Sequence, residues 1–96
     1  TTGWYDQLPA LEGDVARAGG RLLWASNFSI GVNAFRAIVA AAGRVLRDAG
    51  FDATLVETHH TAKKDAPSGT ALTLASDFEA AWGRPIATTS VRVGHV

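Results

Sequence analysis

Fifteen consecutive residues, Glu57 to Ala71, hold two histidines, two lysines, an aspartate and a Ser-Gly-Thr turn. Apolar patterns flank them on both sides. Ahead of them, Ala53 to Thr58 is short and rich in β-branched residues, the composition of a strand. Behind them, Leu72, Ala75, Phe78 and Ala81 or Trp82 recur at helical spacing, and Ser68 is placed to cap the first turn. Pro67 keeps Ala66 out of the helical region, so the chain must turn just before that cap. The stretch therefore predicts a strand-to-helix loop, the position at which α/β sheets carry their chemistry.

Two chemical capacities meet in this loop. His59 and Lys63 form a proton-transfer set, with His60 beside them and Asp65 able to orient or pair with a cation. The backbone N–H groups of Gly69 and Thr70, with the Thr70 hydroxyl, make an anion seat at the helix start, where the helix dipole favours negative charge. Gly69 leaves room for a ligand to approach the backbone. Cations beside an anion seat suggest a small carboxylate or phosphate ligand.

The rest of the chain reads as support for that loop. A helix is predicted from about Tyr5 to Ala18, with Leu8, Leu11 and Val15 on one face, Pro9 in its first turn and Gly19-Gly20 at its end. Arg21 to Ala25 is a candidate buried strand. The longest helix is expected over Gly31 to Ala49. It carries an apolar stripe of Val32, Phe35, Ile38, Val39, Ala42, Val45 and Leu46, with Arg36, Arg44, Arg47 and Asp48 mainly opposite. A third helix runs from about Gly69 to Trp82, ended by Gly83 and Pro85, and Thr88 to Val96 alternates loosely as a strand. The order predicts an α/β or open-faced α+β fold, a mixed sheet with helices packed on one face.

Composition narrows the partners. Formal charge balances to zero, which argues against nucleic acid or an anionic membrane as partner. No apolar run is long enough for a transmembrane helix. With no cysteine there is neither a disulfide nor a thiolate nucleophile, which suits the cytoplasm. A first residue of Thr and the absence of methionine predict a piece of a longer protein. No Gly-x-Gly-x-x-Gly turn is present to hold a pyrophosphate.

The run Glu57-x-His59-His60-x-x-Lys63-x-Asp65-Ala66-Pro67-Ser68-Gly69-Thr70-Ala71 closely resembles the signature of the dihydrodipicolinate (4-hydroxy-tetrahydrodipicolinate) reductases, every fixed position being present. Thr1-Thr2-Gly3 is similar to the end of that family's Gly-Thr-Thr-Gly turn at the nicotinamide. Ala25-Ser26-Asn27-Phe28, continuing into Ser29-x-Gly31-Val32-Asn33, resembles its second cofactor loop, and Val91-Arg92-Val93-Gly94-His95 a later strand. The resemblance implies a two-domain Rossmann-type enzyme. Residues 1–28 would end the dinucleotide-binding domain, and residues 29–96 would begin a substrate-binding and oligomerisation domain. It also implies NADH or NADPH as cofactor, a cyclic dicarboxylate as substrate, a role in lysine and diaminopimelate biosynthesis, and a homotetramer at full length.

By the same resemblance His59 and Lys63 are catalytic, and His60, Gly69 and Thr70 bind substrate. Thr1, Thr2, Ala25, Ser26, Asn27 and Phe28 contact the cofactor. Hydride added to a conjugated cyclic imine leaves electron density that a proton must quench, a task suited to histidine or a perturbed lysine. Simpler readings stand beside these. Ser68-Gly69-Thr70 can be no more than a helix cap, Lys63-Lys64 a solvated pair, Asp65 a brace of the turn and Glu57 a local pairing partner. Adjacent histidines are poorly spaced for two zinc ligands on one strand. A different functional class, a non-catalytic ligand-binding or oligomerising α/β module, also remains open.

Overall fold

The strand and helix around the signature form as expected, and a second strand joins them. The computed structural model describes residues 4–25 and 28–95. A 3₁₀ turn (Tyr5–Gln7) leads into α1 (Leu8–Arg17), followed by α2 (Ile30–Ala49), β1 (Thr54–His59), α3 (Gly69–Trp82) and β2 (Ala87–Arg92). β1 and β2 pair in parallel, joined by α3 as the crossover helix. The fold is an α/β mix, and its described sheet is a parallel pair.

Local chemistry explains the ends of these elements. Pro9 lies in the first turn of α1, where its missing N–H costs nothing. Ser29 caps α2 by accepting from the Val32 N–H, and Ser68 caps α3 by accepting from the Ala71 N–H at 3.1 Å. Gly50 and Gly83 end α2 and α3 with φ of 73° and 88°, a left-handed turn that glycine adopts without steric cost.

α2 and α3 pack at close range because Gly43 has no side chain. A Cβ there would lie 2.9 Å from the Ala81 Cβ and 2.9 Å from the Phe78 carbonyl oxygen. Arg36 crosses to Asp77 with contacts of 2.7 and 3.2 Å, and Arg47 donates to the Ala81 carbonyl at 3.2 Å. Two of the arginines expected on the solvent side of α2 thus clamp it to α3. The apolar core is small: Ala71, Phe78 and Trp82 are its buried members, with the two rings 5.1 Å apart. Arg84 stacks over the Trp82 ring at 3.8 Å.

Two expectations are corrected here. Arg21 to Ala25 is not a buried strand: it is irregular and exposed, with Leu23 at 85%. A strand needs a neighbour to satisfy its backbone, and the described sheet offers none to this segment. Its Trp24 instead joins Trp4 and Tyr5 in an aromatic cluster, with ring separations of 5.0 to 6.4 Å. On the apolar stripe of α2, Phe35, Ile38 and Val45 are at least half exposed. The final strand stops at Arg92, short of Val93 and His95. A radius of gyration of 16.6 Å, against about 12.5 Å for a packed globule of this length, agrees with so much apolar exposure.

Candidate active site

Strand alternation places Leu55, Glu57 and His59 on one face of β1, while Val56 and Thr58 are exposed on the other. Parallel register sets Ser90 beside Glu57 and Arg92 beside His59. The chemistry-bearing ends of both strands therefore lie at one edge, next to the start of α3. His59 is the last residue of β1 rather than part of the loop, a shift of one position from the expected boundary. Its carbonyl accepts from the Val93 N–H at 3.0 Å, which extends the pairing by one bond and steadies the residue.

Glu57 is buried, at 8% exposure, and its two carboxylate oxygens have different partners. Oε2 contacts Nδ1 of His59, and Oε1 lies 2.8 Å from a guanidinium nitrogen of Arg92. A donated hydrogen bond from Ser90 holds the Glu57 carboxyl below the usual carboxylate range. Arg92 and His59 act in the same direction, while burial opposes them. The glutamate is therefore an ionised anchor between two cationic or proton-bearing groups, the local pairing anticipated for it.

The loop beyond β1 turns at once. His60 leaves the strand, and its carbonyl accepts from the Lys63 N–H at 3.2 Å. Thr61 fastens the loop to the chain after β2 through its N–H and hydroxyl, both donating to the Gly94 carbonyl. The Lys63 ammonium pairs with Asp65 at 2.9 Å. That pairing, with backbone N–H donors including Gly69, lowers the Asp65 carboxyl from its ordinary value. Arg92 donates to the Asp65 carbonyl at 2.5 Å. The Asp65 carboxylate thus lies between the Lys63 ammonium and the start of α3. A Cβ on Gly69 would meet nothing within 4 Å, so the approach to this backbone is open.

His59, Ser68 and Thr70 line one cleft of about 670 Å³, whose apolar wall comes from Phe35, Val39 and Phe78. The structure brings His59, the Ser68 cap and the Thr70 edge of the seat together, and sets Lys63 and His60 in the adjoining turn. Arg92, which links both halves of the site, was missed as a site residue. Only its place in the weak Val91-to-His95 resemblance pointed toward it. Thr1, Thr2, Ser26 and Asn27 lie outside the described residues. The other two expected cofactor contacts, Ala25 and Phe28, are exposed. The neighbouring Asn33 amide donates to the Ser29 carbonyl at 2.9 Å. No described helix is long and apolar enough to cross a membrane.

Comparison with known proteins agrees with the signature. The family model for the C-terminus of dihydrodipicolinate reductase matches residues 31–96. A protein named 4-hydroxy-tetrahydrodipicolinate reductase from Stenotrophomonas maltophilia is 49% identical over 79 residues, which cover 82% of this chain and 31% of that protein. Its namesake from Methanopyrus kandleri is 45% identical over 85 residues, covering 88% and 31%. One from Cupriavidus necator is 41% identical over 97 residues, covering 99% and 36%. The chain spans about a third of the length of these curated relatives.

Proposed function

The chain belongs to the dihydrodipicolinate reductase family, and from that premise we propose that it supplies the substrate-holding and proton-donating part of a reductase acting on 4-hydroxy-tetrahydrodipicolinate in lysine and diaminopimelate biosynthesis. Within this reading, residues 1–28 close a dinucleotide-binding domain and residues 29–96 open the substrate domain. The whole enzyme works as a cytoplasmic homotetramer and draws its hydride from NADH or NADPH. The observation that carries the proposal is the convergence of His59, Ser68 and Thr70 on one cleft, with the Lys63–Asp65 pair in the turn between them.

The chemistry assigned to these residues is acid catalysis and anion binding. A ring carboxylate takes the N–H groups of Gly69 and Thr70 and the Thr70 hydroxyl, displacing Asp65 from its share of that seat. His60 lies in the same turn and adds a polar contact. Reduction leaves electron density on the ring, and a proton from His59, with Lys63 as second donor, quenches it. The Lys63 charge also offsets the negative charge that develops. The non-catalytic alternative predicts the same anion binding without proton transfer, so turnover separates the two.

Steady-state kinetics of the reductase carrying this segment test the assignment. His59→Gln or Lys63→Ala should lower kcat about a hundredfold or more, as loss of a proton donor does. Thr70→Val should act mainly on the substrate KM. Unchanged kinetics in all three would remove the assignment, and binding without wild-type turnover would favour the module.

A further inference from the structure

We infer that Glu57 and Arg92 form a positioning unit that sets which nitrogen of His59 exchanges protons and ties both proton donors to one guanidinium. The inference rests on the proposed reductase reading and adds residues to it. Ionised Glu57 can only accept, so the contact with its Oε2 favours a hydrogen on the facing His59 nitrogen. That nitrogen is Nδ1. Nε2 is left as the exchanging atom, on a residue that lines the cleft.

Arg92 completes the unit. One of its guanidinium nitrogens holds the other Glu57 oxygen at 2.8 Å, and its second donates to the Asp65 carbonyl at 2.5 Å. Asp65 in turn holds Lys63 through its carboxylate. The chain of contacts therefore runs from His59 through Glu57, Arg92 and Asp65 to Lys63. Ser90, beside Glu57 in the register, adds a further donor to the carboxylate. Exposure of 17% for the Arg92 side chain and 7% for that of Glu57 shields the contact between these two groups from water. None of the three groups needs to touch substrate to act. They hold the acids in place.

Glu57→Gln gives a test with a definite sign. Glutamine offers one acceptor oxygen, which Arg92 and Ser90 both claim, so its amide N–H₂ turns toward His59. Neutral His59 should then switch from the Nδ1–H to the Nε2–H tautomer, read by ¹⁵N NMR of histidine-labelled full-length enzyme. In the same variant kcat should fall with little change in KM, by up to the roughly 10²- to 10⁴-fold that a positioned acid contributes. Arg92→Ala should show a similar loss of kcat that added guanidinium partly restores, while Arg92→Lys recovers less than guanidinium does. A wild-type Nε2–H tautomer, an unchanged tautomer and kcat in Glu57→Gln, or failure of guanidinium to restore a folded Arg92→Ala would overturn the inference. Because the tautomer is read without substrate, loss of the reductase reading alone would leave that arm intact.

Discussion

Gly43 offers a prediction whose sign depends on two opposed terms. Replacing a glycine inside a helix by alanine favours folding by about 1 kcal/mol, because the freer glycine backbone has more to lose. At Gly43 the new methyl carbon would stand 2.9 Å from the Ala81 Cβ and from the Phe78 carbonyl oxygen, and 3.3 Å from the Trp82 nitrogen. Two of these three are backbone atoms on the helix that buries Phe78 and Trp82, so the helices must separate. Overpacking of this kind costs about 1–3 kcal/mol. Gly31, near the start of the same helix, provides the control: its added carbon meets only the Ser29 hydroxyl oxygen, at 3.7 Å. Gly31→Ala should therefore stabilise slightly, whereas Gly43→Ala should lie below it by about 1–3 kcal/mol. Urea unfolding followed by circular dichroism measures both midpoints. Equal gains at the two positions would refute the close-packing argument, and with it the claim that Gly43 sets the spacing between α2 and α3.

Other consequences can be checked more briefly. Ser68→Ala removes the hydroxyl that accepts from the Ala71 N–H and should cost about 1 kcal/mol in urea unfolding; no change would mean the cap carries no energy. Phe78→Ala opens the core beside Trp82 and should cost about 3 kcal/mol or more, with Trp82 fluorescence shifting to the red. The lowered carboxyl of Glu57 fixes a sign for pH. Its folded value lies below its unfolded one, so the stabilisation is fully present above the unfolded carboxylate range, near pH ~4.3. It is lost as pH falls through the folded value. Melting temperatures taken from neutral to acid pH should fall less steeply for Glu57→Gln than for the wild type, and parallel curves would contradict this.

The signature loop was legible because its order is local. A strand rich in β-branched residues, a proline before a serine cap and a helical apolar repeat each act over a few residues, and β1, the Ser68 cap and α3 followed. What the sequence could not show depends on distant partners. Arg21 to Ala25 has strand composition but no neighbouring strand among the described residues, so it stays irregular. Arg36 lies 41 positions before Asp77, and no helical-face argument foretells that ion pair. Arg92 enters the site only because parallel register sets it against His59, a relation fixed by how the two strands pair. Gly43 likewise looks like a weak point in a helix until Phe78 and Ala81 are placed against it. The cofactor contacts expected at Ala25 and Phe28 were drawn from resemblance, and the described structure adds no contact that builds on them.

The claim at the centre of this account is that the turn after β1 and the tip of α3 together hold a ring acid within reach of His59 and Lys63. A crystal structure of the reductase with pyridine-2,6-dicarboxylate bound tests it most directly. One carboxylate should accept from the Gly69 and Thr70 N–H groups at ordinary hydrogen-bond distances, about 2.7–3.2 Å, with Asp65 moved off the seat and Nε2 of His59 turned toward the ring. A dicarboxylate bound away from the tip of α3, or seated there with His59 and Lys63 both turned from it, would contradict the account.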